Sequence, residues 1–395
     1  MIKFDFNTYV NKFINLNEYK ELLNQKDEIL KKFNSYDMIG WTKQISKKIV
    51  DEIKEEAEYI KNNFDSLVMI GIGGSFLGSY AFSKMFSKYF SNNFEIIYAG
   101  NSLSSKYMSE LLDYLKNKNF CVCVVSKSGT TIETTIAYEL LKDLLKRKYL
   151  YSEVKNHIIT ITDEKRGSLR EETNKEGYKS FIIPNDIGGR YSFITPAHLL
   201  PLAINYNLDS IINGYYEGSN LVDEAYNYAV IRNLLFKSGK VVENYCVYEE
   251  NMAFFTEWLK QLFGESEGKN GVGILPISTI HTRDLHSLGQ FIQEGNKILF
   301  ETFFKIQNDF SMISYNDKSL HDINNIVLDS VINAHYKGNV PCIMINIDEM
   351  TCENISKLIY FFELSAAFSS ILFNVNPFDQ PGVEVYKSEI KERME

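Results

Sequence analysis

The sequence predicts an α/β protein built from two doubly wound parallel sheets, with a helical arm before them and a helix after them. Two observations carry this. Short apolar runs alternate with helix-spaced segments, first over residues 65–185 and again from about residue 241. Pro184 and the pair Gly188-Gly189 punctuate the chain between the two alternations.

Residues 17–62 read as the arm, because Ile45, Ile49, Ile53, Ala57 and Ile60 recur at helical spacing among charges. The first alternation has strand-like runs at 67–72, 94–98, 120–125, 157–161 and 180–183. Helical patterns separate them at 78–90, 104–117, 131–148 and 166–176. Runs that are apolar on both faces and joined by helices indicate parallel strands covered on both sides. Mostly helical sequence follows from Thr195 to about Phe236. The second alternation places strands at 241–248, 273–277, 298–304 and 341–347, with helices at 252–263, 283–293, 321–335 and 353–373. The expected domains are an arm (1–62), a first α/β domain (63–187), a second with its helical connection (188–375) and a C-terminal segment (376–395).

Two loops stand out at the ends of strand-like runs. Gly71-Ile72-Gly73-Gly74-Ser75 follows one run, and Ser126-Lys127-Ser128-Gly129-Thr130-Thr131 follows another. Right-handed crossovers bring such loops to one edge of the sheet, where ligands collect. Glycine admits close approach, hydroxyls and free N–H groups face oxygens, and the helix start adds partial positive charge. Neither loop is a nucleotide motif: Lys127 precedes its glycine, and Phe76 breaks Gly-x-Gly-x-x-Gly. The pattern points to a small phosphorylated metabolite held from two sides.

Bulk properties narrow the classes. A net charge of −9 argues against nucleic-acid binding, which needs a basic face. The five cysteines include no Cys-x-x-Cys pair, and His281 and His286 lie about 140° apart on a helix, so no metal set is expected. Residues 1–10 mix Lys3, Asp5 and Asn7 with aromatics, unlike a signal peptide, and no long uninterrupted apolar stretch occurs. The expectation is a cytoplasmic protein without a membrane partner.

Four more clusters interrupt apolar or turn-forming sequence. In Gly188-Gly189-Arg190-Tyr191-Ser192, two glycines permit a tight turn that aims a fixed cation; a surface arginine fits the same residues. In Gly264-Glu265-Ser266-Glu267-Gly268, flanking glycines would release Glu265 from the helix ending at Phe263; alone, the segment reads better as a solvated turn. His286 is expected in the first turn of a helix capped by Thr282 or Asp284, in either a structural or a chemical role. Asn376-Pro377-Phe378-Asp379-Gln380-Pro381-Gly382 breaks the chain before a short helix carrying Lys387, which fits an exposed tail equally well.

Taken together, these motifs resemble the phosphoglucose isomerase family, in its short bacterial form. The resemblance covers residues 60–387 and rests on Gly-Ile-Gly-Gly-Ser, Ser-Lys-Ser-Gly-Thr-Thr-Ile-Glu-Thr, Gly-Gly-Arg-Tyr-Ser, His-Ser-x-Gly-Gln and Phe-Asp-Gln-x-Gly-Val-Glu in the family's order. Pro381 and Tyr386 stand where longer members have Trp and Gly. The resemblance implies paired sugar-isomerase (SIS) domains and interconversion of glucose 6-phosphate and fructose 6-phosphate through ring opening and a cis-enediol. It implies that Ser75, Ser126, Ser128 and Thr131 hold the phosphate, with Gly74 close by, and that Gln380 meets sugar hydroxyls. Arg190 would face C1–C2, Glu265 would be the base, and His286 and Lys387 would serve ring opening. No metal or cofactor is implied. The family pattern is a homodimer whose active sites borrow the histidine from the neighbouring subunit. Two alternatives stay open on these residues: a non-catalytic sugar-phosphate-binding regulator, and an isomerase of another hexose phosphate.

Overall fold

The computed structural model describes residues 1–90, 93–308 and 313–394. The strands run β1 (Ile2–Asp5), β2 (Ser66–Ile70), β3 (Glu95–Ala99), β4 (Phe120–Val125), β5 (Ile158–Thr162), β6 (Lys179–Ile182), β7 (Val242–Val247), β8 (Leu275–Ile280), β9 (Leu299–Ile306), β10 (Ser314–Tyr315), β11 (Lys318–Ser319) and β12 (Cys342–Ile347). The longer ones fall where the apolar runs place them.

The chain divides into two α/β units, Asp37–Ile212 and Met1–Tyr36 with Asn213–Glu395. This differs from the expected boundaries in two ways. The first 62 residues do not form one arm: β1 pairs antiparallel with β12, Ile2 opposite Ile347, while the helix Lys47–Asn63 belongs to the other unit. A four-residue edge strand leaves too little alternation to stand out, and its long-range partner is invisible locally. The 188 boundary also moves, because the segment Gly188–Ile212 stays with the first sheet.

In the unit Asp37–Ile212 the sheet order is β3-β2-β4-β5-β6, parallel throughout. Every residue of β2 and β4 is buried, as expected for strands covered on both faces. The chain goes from β2 to β3 on one side, then crosses to β4 on the other. The winding therefore reverses between β2 and β4, which opens a crevice at their carboxyl ends. Both hydroxyl-rich loops lie there.

The other unit repeats the order as β8-β7-β9-β12, with β1 added at the edge. Its helix Cys352–Leu372 is long and apolar enough to cross a membrane by composition, yet 89% of its most apolar stretch is buried within the fold. It serves as a core helix here.

Candidate active site

A cavity of about 520 Å³ opens at the β2/β4 crevice, lined by Ser75, Ser126, Lys127, Ser128, Thr131, Asp163 and Arg166 among others. The helices Leu77–Phe86 and Ile132–Lys148 start here, and neither has a side-chain cap from the preceding residue. By contrast, Ser46, Ser104, Ser319 and Thr351 each accept a backbone N–H at the start of their own helices. The uncapped start of Ile132–Lys148, with the hydroxyls of Ser75, Ser126, Ser128 and Thr131 around it, makes a cradle that can receive an anion, while a histidine nitrogen takes the Ser79 N–H at the start of the other helix. The cradle is internally braced. Ser126 Oγ accepts the Gly129 N–H at 3.0 Å, and Ser128 Oγ accepts Thr130 Oγ1–H at 2.9 Å.

The turn after β5 buttresses this loop. Ser168 Oγ donates to Gly129 O at 3.1 Å, and a Cβ on Gly167, whose φ is +98°, would stand 2.7 Å from Ser128 O. Asp163 accepts the N–H groups of Lys165 and Arg166, which hold its carboxyl below the usual range. No motif marks these residues; the available signal is a polar turn at the carboxyl end of the next parallel strand.

Arg190 sits in a short 3-10 turn, Gly189–Tyr191, and is buried. Gly74 packs against that turn so closely that a Cβ would lie 2.2 Å from Gly189 C. The glycine-rich loop and the arginine turn are thus one construction. His198, which the sequence does not single out, joins them. Its Nδ1 accepts the Ser79 N–H at 3.0 Å, so Nε2 carries the proton and donates to Gly74 O at 2.8 Å. Burial lowers its pKa to about 4 and keeps the ring neutral.

The remaining expected residues belong to the other unit. Glu265 is not released from its helix: the helix runs Ala253–Glu267, past Gly264, and Glu265 is half-buried, with Gln261 Nε2 donating to it at 3.2 Å. Satisfying backbone N–H groups for one more turn outweighs glycine's weak helix preference. Lys269 ties the following segment to Asp379 at 2.7 Å, which brings the Gln380 stretch beside the Glu265 turn. Lys387 lies on the exposed helix Pro381–Met394 and pairs with Glu384 at 2.9 Å.

His286 is the outlier. It occupies a 3-10 turn, Arg283–His286, not the first turn of an α-helix. Neither expected cap forms: Thr282 makes no cap bond, and Asp284 Oδ2 reaches back to accept the Ile280 N–H at 2.7 Å. His286 is exposed at the carboxyl end of β8. The Glu265 turn is at the opposite end, where a Cβ on Gly264 would stand 3.7 Å from Pro276. About 13 Å of strand, from Pro276 to Ile280, separates those ends. Within one chain these two side chains do not meet.

Cys246, His281 and Glu301 form a buried group whose ligand atoms lie within 4.8 Å of one another. Its polar atoms are already engaged: Cys246 Sγ donates to Glu301 Oε1 at 3.4 Å, His335 Nδ1 lies 2.6 Å from Glu301 Oε2, and His281 meets Thr279 and Tyr248. It reads as a hydrogen-bonded network between sheet and helix.

Doubly wound sheets with a hydroxyl-lined cavity at a switch point define a class of small-ligand α/β proteins to which the sugar isomerases belong. A hypothetical protein from Thermus thermophilus superposes with a TM-score of 0.87 at 24% identity, covering 100% of both chains. A glucose-6-phosphate isomerase from Chlamydia trachomatis does so with a TM-score of 0.82 at 19% identity, over 95% of this chain and 85% of that one. The chain belongs to the phosphoglucose isomerase family, whose model matches residues 34–274 and 269–394. It is 42% identical to a glucose-6-phosphate isomerase of Mycoplasma mycoides subsp. mycoides over 96% of this chain and 95% of the relative. A Staphylococcus haemolyticus relative with the same description is also 42% identical, over 89% and 85%.

Proposed function

We propose that this chain is an aldose–ketose isomerase that interconverts glucose 6-phosphate and fructose 6-phosphate. In a chain of this family, the observation that carries the reading is the cradle of Ser75, Ser126, Ser128 and Thr131 at the uncapped start of the helix Ile132–Lys148. It takes the phosphate, and this remote binding energy fixes the sugar for reaction.

The substrate enters as a closed ring. A proton is delivered to the ring oxygen as the anomeric hydroxyl loses its own, which breaks the C1–O5 bond and forms the C1 carbonyl. His286 and Lys387 perform that exchange. Glu265 then takes the proton from C2. The C–H electron pair forms the C1–C2 double bond, and the carbonyl oxygen accepts negative charge that Arg190 stabilises before it is protonated. Glu265 returns its proton to C1 as the C2 hydroxyl becomes a carbonyl, and the proton that O2 gives up balances the one that O1 has taken. No external oxidant or reductant enters the balance.

The homodimer that the family resemblance implies, in which the histidine of a second copy completes each site, is supported by the placement of Glu265 and His286 at opposite ends of β8. The exposure of His286 supports this. The protein works in the cytoplasm, in glycolysis and gluconeogenesis, without nucleic-acid or membrane partners. A coupled assay comparing glucose, fructose, mannose and glucosamine 6-phosphates tests the substrate. Turnover is expected to be fastest on the glucose–fructose pair; equal or faster turnover of mannose or glucosamine phosphate overturns the assignment.

A further inference from the structure

The helix end that carries Glu265 is poorly made for holding a catalytic group. Gly264 and Gly268 bracket its last turn, and glycine is among the weakest helix formers. Something else fixes that turn. Glu267, two positions on, points to the opposite face of the helix and is fully buried. Arg232, also fully buried, grips it with both terminal nitrogens: Nη1 donates to Glu267 Oε1, and Nη2 to Oε2 at 3.2 Å.

The arginine is itself immobilised on every side. Nε donates to Glu243 Oε2 at 2.7 Å, Nη1 to Ser369 Oγ at 2.7 Å, and the guanidinium stacks 4.1 Å over Phe263, one turn before Glu267. Glu243 is saturated in turn by Tyr228, Tyr245 and Thr302. Strand β7 and the helices Val222–Lys237 and Cys352–Leu372 thus clamp one face of the turn that bears Glu265 on the other.

We infer that Arg232 and Glu267 form a rotational lock that holds the Glu265 carboxylate in position for proton transfer. They act as positioning residues and touch no substrate. Burying ion pairs contributes little net stability but fixes one geometry, and a carboxylate must be held to within a fraction of an ångström to take a proton from carbon. The inference rests on the reading of Glu265 as the base.

The test uses the full-length enzyme and four variants: Glu267→Gln, Arg232→Met, Glu265→Gln and the double variant Glu267→Gln with Gly264→Ala. Glu267→Gln keeps size and one acceptor while losing the two-point grip. It should fold, bind inorganic phosphate as a competitive inhibitor as the parent does, and keep KM within about twofold, while kcat falls roughly tenfold or more. Gly264→Ala adds a better helix former with room for its Cβ and should restore part of that kcat. A folded Arg232→Met should show the same selective loss of kcat; where it does not fold, Glu267→Gln carries the test. An unchanged kcat in Glu267→Gln, or a parallel loss of phosphate binding, overturns the lock. If Glu265→Gln keeps its turnover, the base assignment falls first and the lock with it; if Glu265→Gln is inactive while Glu267→Gln is not, only the lock falls.

Discussion

The two units run the same strand order but put their polar groups in different places. In Asp37–Ile212 the central strands β2 and β4 are almost wholly apolar, and the polar chemistry is confined to loops beyond their carboxyl ends. In the other unit the central strand β7 buries Glu243, Asn244, Tyr245 and Cys246 within its six residues, each tied into a network. The first arrangement sets hydroxyls and backbone donors around a cavity that Lys127, Asp163 and Arg166 also line. The second uses buried charge to fix the positions of other groups. One unit should therefore govern substrate affinity and the other the chemical step, with Arg190 the exception.

Substitutions separate the two. Glu265→Gln should fold normally and reduce kcat by roughly 10²–10⁴ with phosphate binding retained. Steady-state kinetics beside phosphate inhibition decide it; more than a tenth of the parental turnover rejects Glu265 as base. Arg190→Ala should cost about 10²–10³ in kcat, more than in affinity, because the cation meets charge that develops during reaction. A change in KM alone would assign Arg190 to binding and restore a strict division between the units.

Thr131→Val should act in the opposite sense, raising KM about tenfold with kcat little altered, since one hydrogen bond to a charged group contributes roughly 1.5–3 kcal/mol. A loss confined to kcat would contradict the cradle. The smallest effect concerns stability. His198 is depressed to about pH 4 from an ordinary 6.5, so the unfolded chain binds the extra proton between those values. Its contribution is complete above about pH 6.5 and is lost as pH falls toward 4, by about 3 kcal/mol in all. Urea melts of the parent and His198→Gln across that window should show a shallower pH slope in the variant; identical slopes refute the neutral-ring assignment.

Sequence exposes the loop chemistry better than the buried kind. Gly74, Ser126 and Thr131 interrupt a strand–helix rhythm, so a local pattern marks them. His198 and Arg232 sit inside apolar helical stretches, and their partners are 124 and 35 residues away, at Gly74 and Glu267. No short window along the chain holds His198 with Gly74 or Arg232 with Glu267. The edge strand Ile2–Asp5 is hidden for the same reason, its partner being the distant β12. Glu265 is legible through its glycines, but the expectation that the helix ends before it fails: the helix passes Gly264 and stops only at Gly268, with Arg232 gripping its last residue, Glu267.

The division of labour is tested most directly by hydrogen exchange during turnover. With fructose 6-phosphate in D₂O, the parent enzyme should place deuterium at C2 of the glucose 6-phosphate formed, partially, because the proton on Glu265 exchanges with solvent in each cycle. Glu265→Gln should show almost no such incorporation while still binding inorganic phosphate at the cradle. Undiminished labelling by that variant, or transfer without any solvent deuterium in the parent, would contradict proton transfer through this carboxylate.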